Sequence, residues 1–326
     1  MRHCGNCIIN NGHTEEEPTM EFDVVVVGSI NMDVVVNCET YPKYGNTEFC
    51  QSIKMLPGGK GANQAASAAT LGKKVAMVGS VGNDSAGNQM LENLRSRGVD
   101  VTGVMKTDKA GTGTFIALVD QSGENTMVGT IGANEALTGQ DIEKAFANLK
   151  AKILLIQMET SKESILAAMK LAKQRGMYVI LDPAPAGGIT PEAFRYADLV
   201  LPNSQETEAI TGIKVTDKES ALLAAQKIHE LGVPNAIVKM GSKGSLVSQQ
   251  GKITFVDSIQ VQAVDTVGAG DCYAGAIADA LIDTDDLVAA ARFASVAAGI
   301  KVSRAGGQDA IPTLEEIKKY QGLTIG

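Results

Sequence analysis

The chain has 326 residues, 44% of them apolar, which is enough for one large or two medium domains around a sizeable core. It carries 29 Lys and Arg against 37 Asp and Glu, a formal charge of −8 with no long basic run, which argues against nucleic acid as a main partner. No apolar run approaches the roughly 18 residues of a membrane span, and the N-terminus lacks a signal-peptide core, so no membrane association and a cytoplasmic location are expected. The five cysteines, Cys4, Cys7, Cys38, Cys50 and Cys272, are odd in number and scattered, which reads as free thiols in a reducing compartment.

Residues 1–20 are polar, aperiodic and carry Glu15-Glu16-Glu17-Pro18; they read as a disordered extension. Cys4-x-x-Cys7, with His3 and His13 nearby, lacks the second pair of a structural zinc site. The folded unit is expected over 21–326. Short runs rich in β-branched residues at 23–28, 75–80, 153–157, 178–181, 198–201 and 236–240 suit buried parallel strands. Helical patterns alternate with them. One follows Gly61, from Ala62 to Leu71, behind a strand-like run from Phe49 to Met55. Another runs from Asp84 to Arg97 and stops at Gly98; a third, Ser161 to Arg175, stops at Gly176. The last, Leu314 to Gln321, starts behind Thr313 with Glu316 placed for a capping box. The pattern predicts an α/β fold: a doubly wound, mostly parallel central sheet with helices on both faces. Two regions, about 33–56 and 112–130, read as strands with no helix between them. They predict a small protruding sheet whose apolar face needs cover, hence a homodimer through that sheet.

The chemistry gathers in loops. Asp265-Thr-Val-Gly-Ala-Gly-Asp271 runs into a small-residue helix. Backbone N–H groups of Gly268, Ala269 and Gly270 can approach an anion at a helix start, where orphan donors and the helix dipole favour negative charge. Asp271 next to such an anion would serve as a base for an attacking hydroxyl; an Asp capping a helix after a glycine turn reads equally well. Cys272 beside it has no nearby His or Lys in sequence and reads as helix packing. Gly58-Gly59-Lys60-Gly61-Ala62-Asn63-Gln64 opens another helix, but it lacks the upstream glycine and the Ser or Thr of a P-loop. Gly28-Ser29-Ile30-Asn31-Met32-Asp33 lacks the second and third glycines of a dinucleotide fingerprint. Asn31 and Asp33 alternate on a strand end and so share a face, where an amide and a carboxylate can grip vicinal hydroxyls. Glu159 ends a buried strand, a costly place for a carboxylate without a ligand or partner. Asn203 and Glu206, three apart at a helix start, suit an octahedral Mg²⁺ that keeps its waters; Asn203 reads equally as a helix cap. Lys239-Met240-Gly241-Ser242-Lys243-Gly244 follows a strand and reads as a tight turn or as a nucleotide contact.

Taken together, these loops resemble the ribokinase-like family of carbohydrate kinases over about residues 22–320. Gly132-Ala133-Asn134, Gln157-Met158-Glu159, Asp182-Pro183-Ala184-Pro185-Ala186 and Pro202-Asn203 with Glu206 add to the match. The resemblance implies transfer of phosphate from ATP to O5 of D-ribose, giving ribose 5-phosphate and ADP, with Asp271 as the base. It assigns Asn31, Asp33, Gly59, Asn63 and Glu159 to the sugar; Asn63 with Gly59, Lys60 and Gly61 before it would close the side opposite Asn31 and Asp33. It assigns the loop from Lys239 through Gly241, Ser242, Lys243 and Gly244 to ATP, with Lys243 near the phosphates, and Ser295 to the surroundings of the adenine. It implies Mg²⁺ organised by Asn203 and Glu206. It also implies K⁺ held by Asp265, Val267, Lys301, Arg304, Gly306 and Ala310, mostly through backbone carbonyls, and a lid sheet that pairs between subunits.

The chain departs from the family in three places. Asp309-Ala310 replaces the Pro-Ser often seen, so an extra carboxylate stands near the expected cation site. Ser295 stands where Asn or His is usual, and Cys272-Tyr273 replaces the commoner Thr-Phe. A sister kinase for deoxyribose, fructose or a nucleoside remains open. A sugar phosphate is disfavoured because the lid offers Lys43, Lys54 and Lys60 without an arginine cluster. A non-catalytic sugar binder on the same fold would have no need of Asp271 beside an anion hole.

Overall fold

The structure is a computed structural model that describes residues 19–121 and 125–324. Nearly all of the expected N-terminal extension, with Cys4, Cys7, His3 and His13, lies outside the described residues. The first half of the chain forms β1 (Met20–Val27), β2 (Asn31–Asn37), β3 (Ser52–Gly58), α1 (Lys60–Thr70), β4 (Val75–Gly82), α2 (Ser85–Ser96), β5 (Asp100–Thr107), β6 (Gly113–Val119), β7 (Asn125–Thr130), α3 (Gly139–Ala147) and β8 (Leu149–Ile156). The second half forms α4 (Lys162–Gln174), β9 (Tyr178–Leu181), β10 (Leu199–Val200), α5 (Ser204–Thr211), α6 (Lys218–Glu230), β11 (Asn235–Lys239), β12 (Ser245–Gln249), β13 (Lys252–Val256), α7 (Ala269–Ala280), α8 (Leu287–Val302) and α9 (Leu314–Thr324).

Nine strands form the central sheet in the order β13-β12-β11-β10-β9-β8-β1-β4-β5. From β5 to β11 every pairing is parallel; β12 and β13 add an antiparallel edge. The run of four valines in β1 explains its central place. Val24 and Val26 enter the core under α1, α7 and α8, while Val25 and Val27 enter the core under α3, α4 and α6. A strand buried on both faces has no polar alternation. Chain order reverses on either side of β1, which puts a switch-point crevice at the carboxyl ends of β1 and β8.

Small residues let the helices around that crevice approach closely. A methyl group on Gly61 of α1 would lie 2.6 Å from the Gly28 carbonyl carbon, so α1 rests directly on the loop after β1. On the other side of α1, a methyl on Gly275 of α7 would lie 2.5 Å from Ser67 Cβ. The two helices therefore run side by side with their N-termini at the same crevice.

The second sheet has four strands in the order β3-β2-β6-β7, with β2 and β6 parallel. It leaves large apolar side chains in solvent: Met55 is 61% exposed, Met127 58% and Val128 69%. This is the expected lid, with one shift in register. The strand expected over 49–55 lies at Ser52–Gly58, because β3 pairs with β2 from Gly58 opposite Asn31 outward, and Phe49 is left in solvent. The run at 198–201 contributes only two strand residues, β5 joins the sheet edge, and the β12–β13 hairpin closes the other edge. Helices α2, α4 and α9 lie where their glycine stops and capping box put them, with Thr313 and Glu316 bonded reciprocally at 2.8 and 3.3 Å. Among the described residues no helix is long and apolar enough to cross a membrane.

Candidate active site

Helices α2 to α6 and α8 begin with a side chain that caps their N–H groups: Asp84, Thr138, Ser161, Asn203, Asp217 and Asp286. Among the described residues α1 and α7 begin instead with glycines that cap nothing. Gly268 sits in the left-handed region at φ 74°, a conformation a side chain would oppose, and it aims the first turn of α7 at the cleft. Two uncapped helix starts facing one cleft leave donors and positive dipole ends for an anion.

Asp271 lies in the first turn of α7 and is 8% exposed. Its Oδ2 accepts a hydrogen bond from Asn63 Nδ2 at 3.0 Å, and its Oδ1 accepts one from Gln64 Nε2 at 3.2 Å. Burial pushes its pKa above the ordinary carboxylate range; the Lys60 ammonium and the Asn63 and Gln64 bonds work the other way. A carboxylate whose pKa is raised is a stronger proton acceptor than an ordinary one, as a base for a hydroxyl needs to be. Lys60, first residue of α1, is the counter-charge. Burial draws its pKa down, but Asp271, Glu159, Asp182 and Glu206 outweigh burial and hold it above the ordinary lysine value.

A cavity of about 520 Å³ opens from Asp271 toward α8. Its polar end holds Lys60, Asp182, Lys239, Asn203 and Glu206, together with the Gly268–Gly270 turn. Its lining also includes the apolar Ile259 and Val261, Tyr273 with its neighbour Ser295, and Gly241, Ser242 and Gly244. A cavity of this size lined by both charged and apolar side chains suits a nucleotide. Lys239 Nζ bonds Asp182 Oδ1 at 2.9 Å, and Gln64 Nε2 donates to Asp182 Oδ2 at 2.8 Å. Asn203 and Glu206 form a reciprocal capping box, with the Asn203 N–H donating to Glu206 Oε2 at 2.7 Å. The capping reading of Asn203 therefore holds, and it fixes the Glu206 carboxylate at the cavity wall. Among the described residues no group of three or more His, Cys, Asp or Glu side chains could hold a metal ion by itself. The Glu206 carboxylate and the Asn203 amide at the cavity wall offer the oxygens that an Mg²⁺ keeping its waters would use, so these residues fit Mg²⁺.

Asp33, on lid strand β2, faces Glu159 and Asp271, Asn63 bonds Asp271, and Asn31 lies two residues before Asp33 on the same strand. Asn31 is 3% exposed, and its Oδ1 accepts a bond from Asn134 Nδ2 at 2.7 Å. Asn134 also accepts the Ile30 N–H at 2.9 Å, which explains the buried Gly132-Ala133-Asn134 turn. Burial first, then repulsion from Glu159 and Asp271, pushes Asp33 up to about 6. Glu159 lies in the loop after β8 and accepts the Ser29 hydroxyl. Gly59 and Gly61 carry the backbone around this end of the crevice.

Several expectations need correction. Lys243 does not reach the cavity: its ammonium donates to the Thr216 carbonyl at 2.7 Å, because the turn after β11 directs it outward. Lys239 provides the cation there instead. The Ala269 N–H donates to the Thr266 carbonyl at 3.2 Å, so of the three expected donors it is already engaged. Asp309 is turned away to Arg97 at 2.5 Å and brings no charge to the neighbouring loop. Arg304 pairs with Glu316 at 2.6 Å.

The expected K⁺ ligands do not fit a metal ion. Asp265 Oδ1 accepts the Val267 N–H at 3.0 Å and Oδ2 accepts the Gly306 N–H at 3.3 Å. The Lys301 carbonyl accepts the Arg304 N–H at 3.1 Å, and Ala310 has no side-chain oxygen. Lys301 Nζ itself lies 3.3 Å from the Asp265 carbonyl. Cys272 is packed against α1, and burial pushes its thiol up to about 12, as suits a packing residue.

Sequence reading missed Gln64 and Asp182. Both lay in stretches already marked for their glycines or prolines, but only the contact between α1, α7 and the loop after β9 shows their side chains meeting. The chain matches the family described as pfkB family carbohydrate kinase over residues 21–314. It is 36% identical over 302 residues to the ribokinase of Haemophilus influenzae, covering 92% of this chain and 99% of that protein. It is 34% identical over 306 residues to the deoxyribokinase of Salmonella typhimurium, covering 93% and 99%. The solved structure of Arabidopsis thaliana ribokinase complexed with ribose and ATP superposes with a TM-score of 0.84 at 34% identity, covering 92% of this chain and 98% of that one. Each comparison spans body and lid together, and the chain belongs to the pfkB family of carbohydrate kinases.

Proposed function

We propose that this kinase transfers the γ-phosphoryl group of ATP to O5 of D-ribose, giving D-ribose 5-phosphate and ADP. The observation that carries the reading is the position of Asp271. It stands at the uncapped start of α7, between a pocket of hydroxyl-gripping side chains and a nucleotide-sized cavity. The likeness to the Haemophilus influenzae ribokinase, and to the Arabidopsis thaliana ribokinase complexed with ribose and ATP, supports both substrates.

In this reading Asn31, Asp33 and Asn63 hold the sugar hydroxyls, and Gly59 and Gly61 close around them. Glu159 and Lys60 complete the floor. The O5 hydroxyl meets Asp271, which takes its proton as O5 attacks the γ-phosphorus and the bond to the β-phosphate oxygen breaks. Backbone N–H groups at Gly268 and Gly270, with the dipole of α7, stabilise the phosphoryl oxygens; Lys239 and Lys60 add fixed positive charge. Asp182, pinned between Lys239 and Gln64, keeps Lys239 on the phosphate side. Asn203 and Glu206 would organise Mg²⁺ through its waters; when bound it neutralises charge on the transferring phosphate. Gly241, Ser242 and Gly244 border the nucleoside, with Ser295 near the base. The free thiols Cys38, Cys50 and Cys272 suit a cytoplasmic protein. The exposed apolar residues of the lid support a homodimer formed through it.

A second reading is phosphorylation of 2-deoxyribose, favoured by the 34% identity to a deoxyribokinase. The test is ADP release from Mg-ATP with ribose, 2-deoxyribose, fructose and adenosine compared at subsaturating sugar. The proposal expects the highest kcat/KM with ribose. A preference for deoxyribose would transfer the assignment to that sugar, and release with none of the four would remove the ribose reading.

A further inference from the structure

Lys301, in the last turn of α8, is a charged side chain only 1% exposed. A lysine buried to that extent needs partners, because an unpaired ammonium in the interior is strongly disfavoured. Its partners are all in the loop that precedes α7. Nζ donates to the Asp265 carbonyl at 3.3 Å and stands 3.7 Å from Asp265 Oδ2. Its stem passes beneath the start of α7: a methyl group on Gly268 would lie 3.9 Å from Lys301 Cε. The end of α8 also holds that loop directly, since the Val264 and Asp265 N–H groups donate to the Val302 carbonyl at 2.8 and 3.1 Å. Asp265 in turn receives the Gly306 N–H, which ties in the segment after α8.

One ammonium thus sits at a helix C-terminus, where the carbonyl dipoles favour a cation, and it touches the loop whose turn faces the phosphate end of the cavity. A metal ion bound among the same oxygens would have to share the space with a group of like charge.

We propose that the Lys301 ammonium is a built-in monovalent cation that holds Asp265 and the Gly268–Gly270 turn in place, so that phosphoryl transfer by this chain does not require K⁺. The proposal rests on reading that turn as the phosphate-binding element. Lys301 acts through the turn and is a positioning residue. It supplies without an external ion the positive charge that other arrangements of the loop would take from solution.

The test compares ADP release with ribose in potassium chloride and in tetramethylammonium chloride at equal ionic strength. Wild-type rates in the two salts should agree within about twofold. Lys301→Met keeps the volume and removes the charge; it should lose about tenfold to a hundredfold in kcat in both salts, with KM for ribose little changed. Lys301→Ala opens room beside Asp265, and K⁺, but not tetramethylammonium, should restore its turnover. Strong K⁺ activation of the wild type, or full kcat in Lys301→Met without K⁺, would overturn the proposal. Melting temperatures in the same salts without substrate keep this separate from the choice of sugar. A K⁺-specific rise in wild type contradicts the inference whatever the substrate is. A K⁺-specific rise confined to Lys301→Ala supports it even if ribose is not turned over.

Discussion

Gln64 and Asp271 are 207 residues apart in sequence, and the Gln64 side-chain amide donates to Asp271 Oδ1 at 3.2 Å. The same nitrogen donates to Asp182 Oδ2 at 2.8 Å, while the Gln64 oxygen accepts from Gln157 Nε2 at 2.6 Å. One buried amide therefore orients both the proposed base and the carboxylate that holds Lys239.

Replacing Gln64 by Leu leaves two buried carboxylates short of a donor. We expect a stability loss of about 1–3 kcal/mol and a fall in kcat of about tenfold. The Gln64 bond favours the ionised form of Asp271, so removing it raises that pKa further, and the acid limb of kcat should move to higher pH. A pH–rate profile with an unmoved acid limb would show that Gln64 only packs.

Asp33 gives the sugar site its own pH dependence. Its carboxyl is pushed up to about 6 by burial and by Glu159 and Asp271. Above that value it is an anion able to accept two sugar hydroxyls; below it one acceptor is lost. Ribose affinity, measured by calorimetry without nucleotide, should therefore weaken as pH falls through about 6. Asp33→Asn should bind ribose less tightly and with a flat pH profile. A wild-type profile that is itself flat would take Asp33 out of sugar recognition.

Lys239 and Lys243 flank one turn but face opposite ways. Lys243→Ala should leave KM for ATP within about twofold, since its ammonium serves the Thr216 carbonyl and the neighbouring Asp217 carboxylate at the surface. Lys239→Ala should raise KM for ATP by about tenfold or more through loss of a charge-assisted contact. Steady-state kinetics at saturating sugar decide, and equal effects from the two would mean that the turn reorganises around the nucleotide.

The lid should pair two copies of the chain. Met55, Val34, Ile116 and Val128 form one cross-strand row, and Met55 and Val128 are its most exposed members. Wild type should sediment as a dimer and Val128→Asp as a monomer, because a charge in an apolar interface is costly. A monomeric wild type would leave the row as exposed surface and remove the proposed pairing.

The parts of this molecule that local pattern dictates were readable without coordinates. The four valines of β1, the glycine stops after α2 and α4 and the Thr313–Glu316 box each depend on neighbours within a few residues. So do the glycine loops at 58–61 and 268–270, whose small side chains announce close approach. What could not be read is where long side chains end. Lys243 and Lys239 are equivalent in sequence, and only the turn after β11 sends one outward and the other to Asp182. Lys301 was expected to offer a carbonyl, yet its packing under Gly268 brings the ammonium to Asp265 instead. Gln64 gave no signal of its own, because its partners lie on α7 and in the loops just after β8 and β9.

The most direct test of the account is steady-state phosphorylation of D-ribose by wild type and Asp271→Asn, with the phosphate position in the product read by ³¹P NMR. The account predicts ribose 5-phosphate from wild type, and in the variant a loss of kcat between about 10²- and 10⁴-fold with KM for ribose little altered. Near-normal turnover by Asp271→Asn, or phosphate on another oxygen, would contradict the placement of Asp271 as the base for O5.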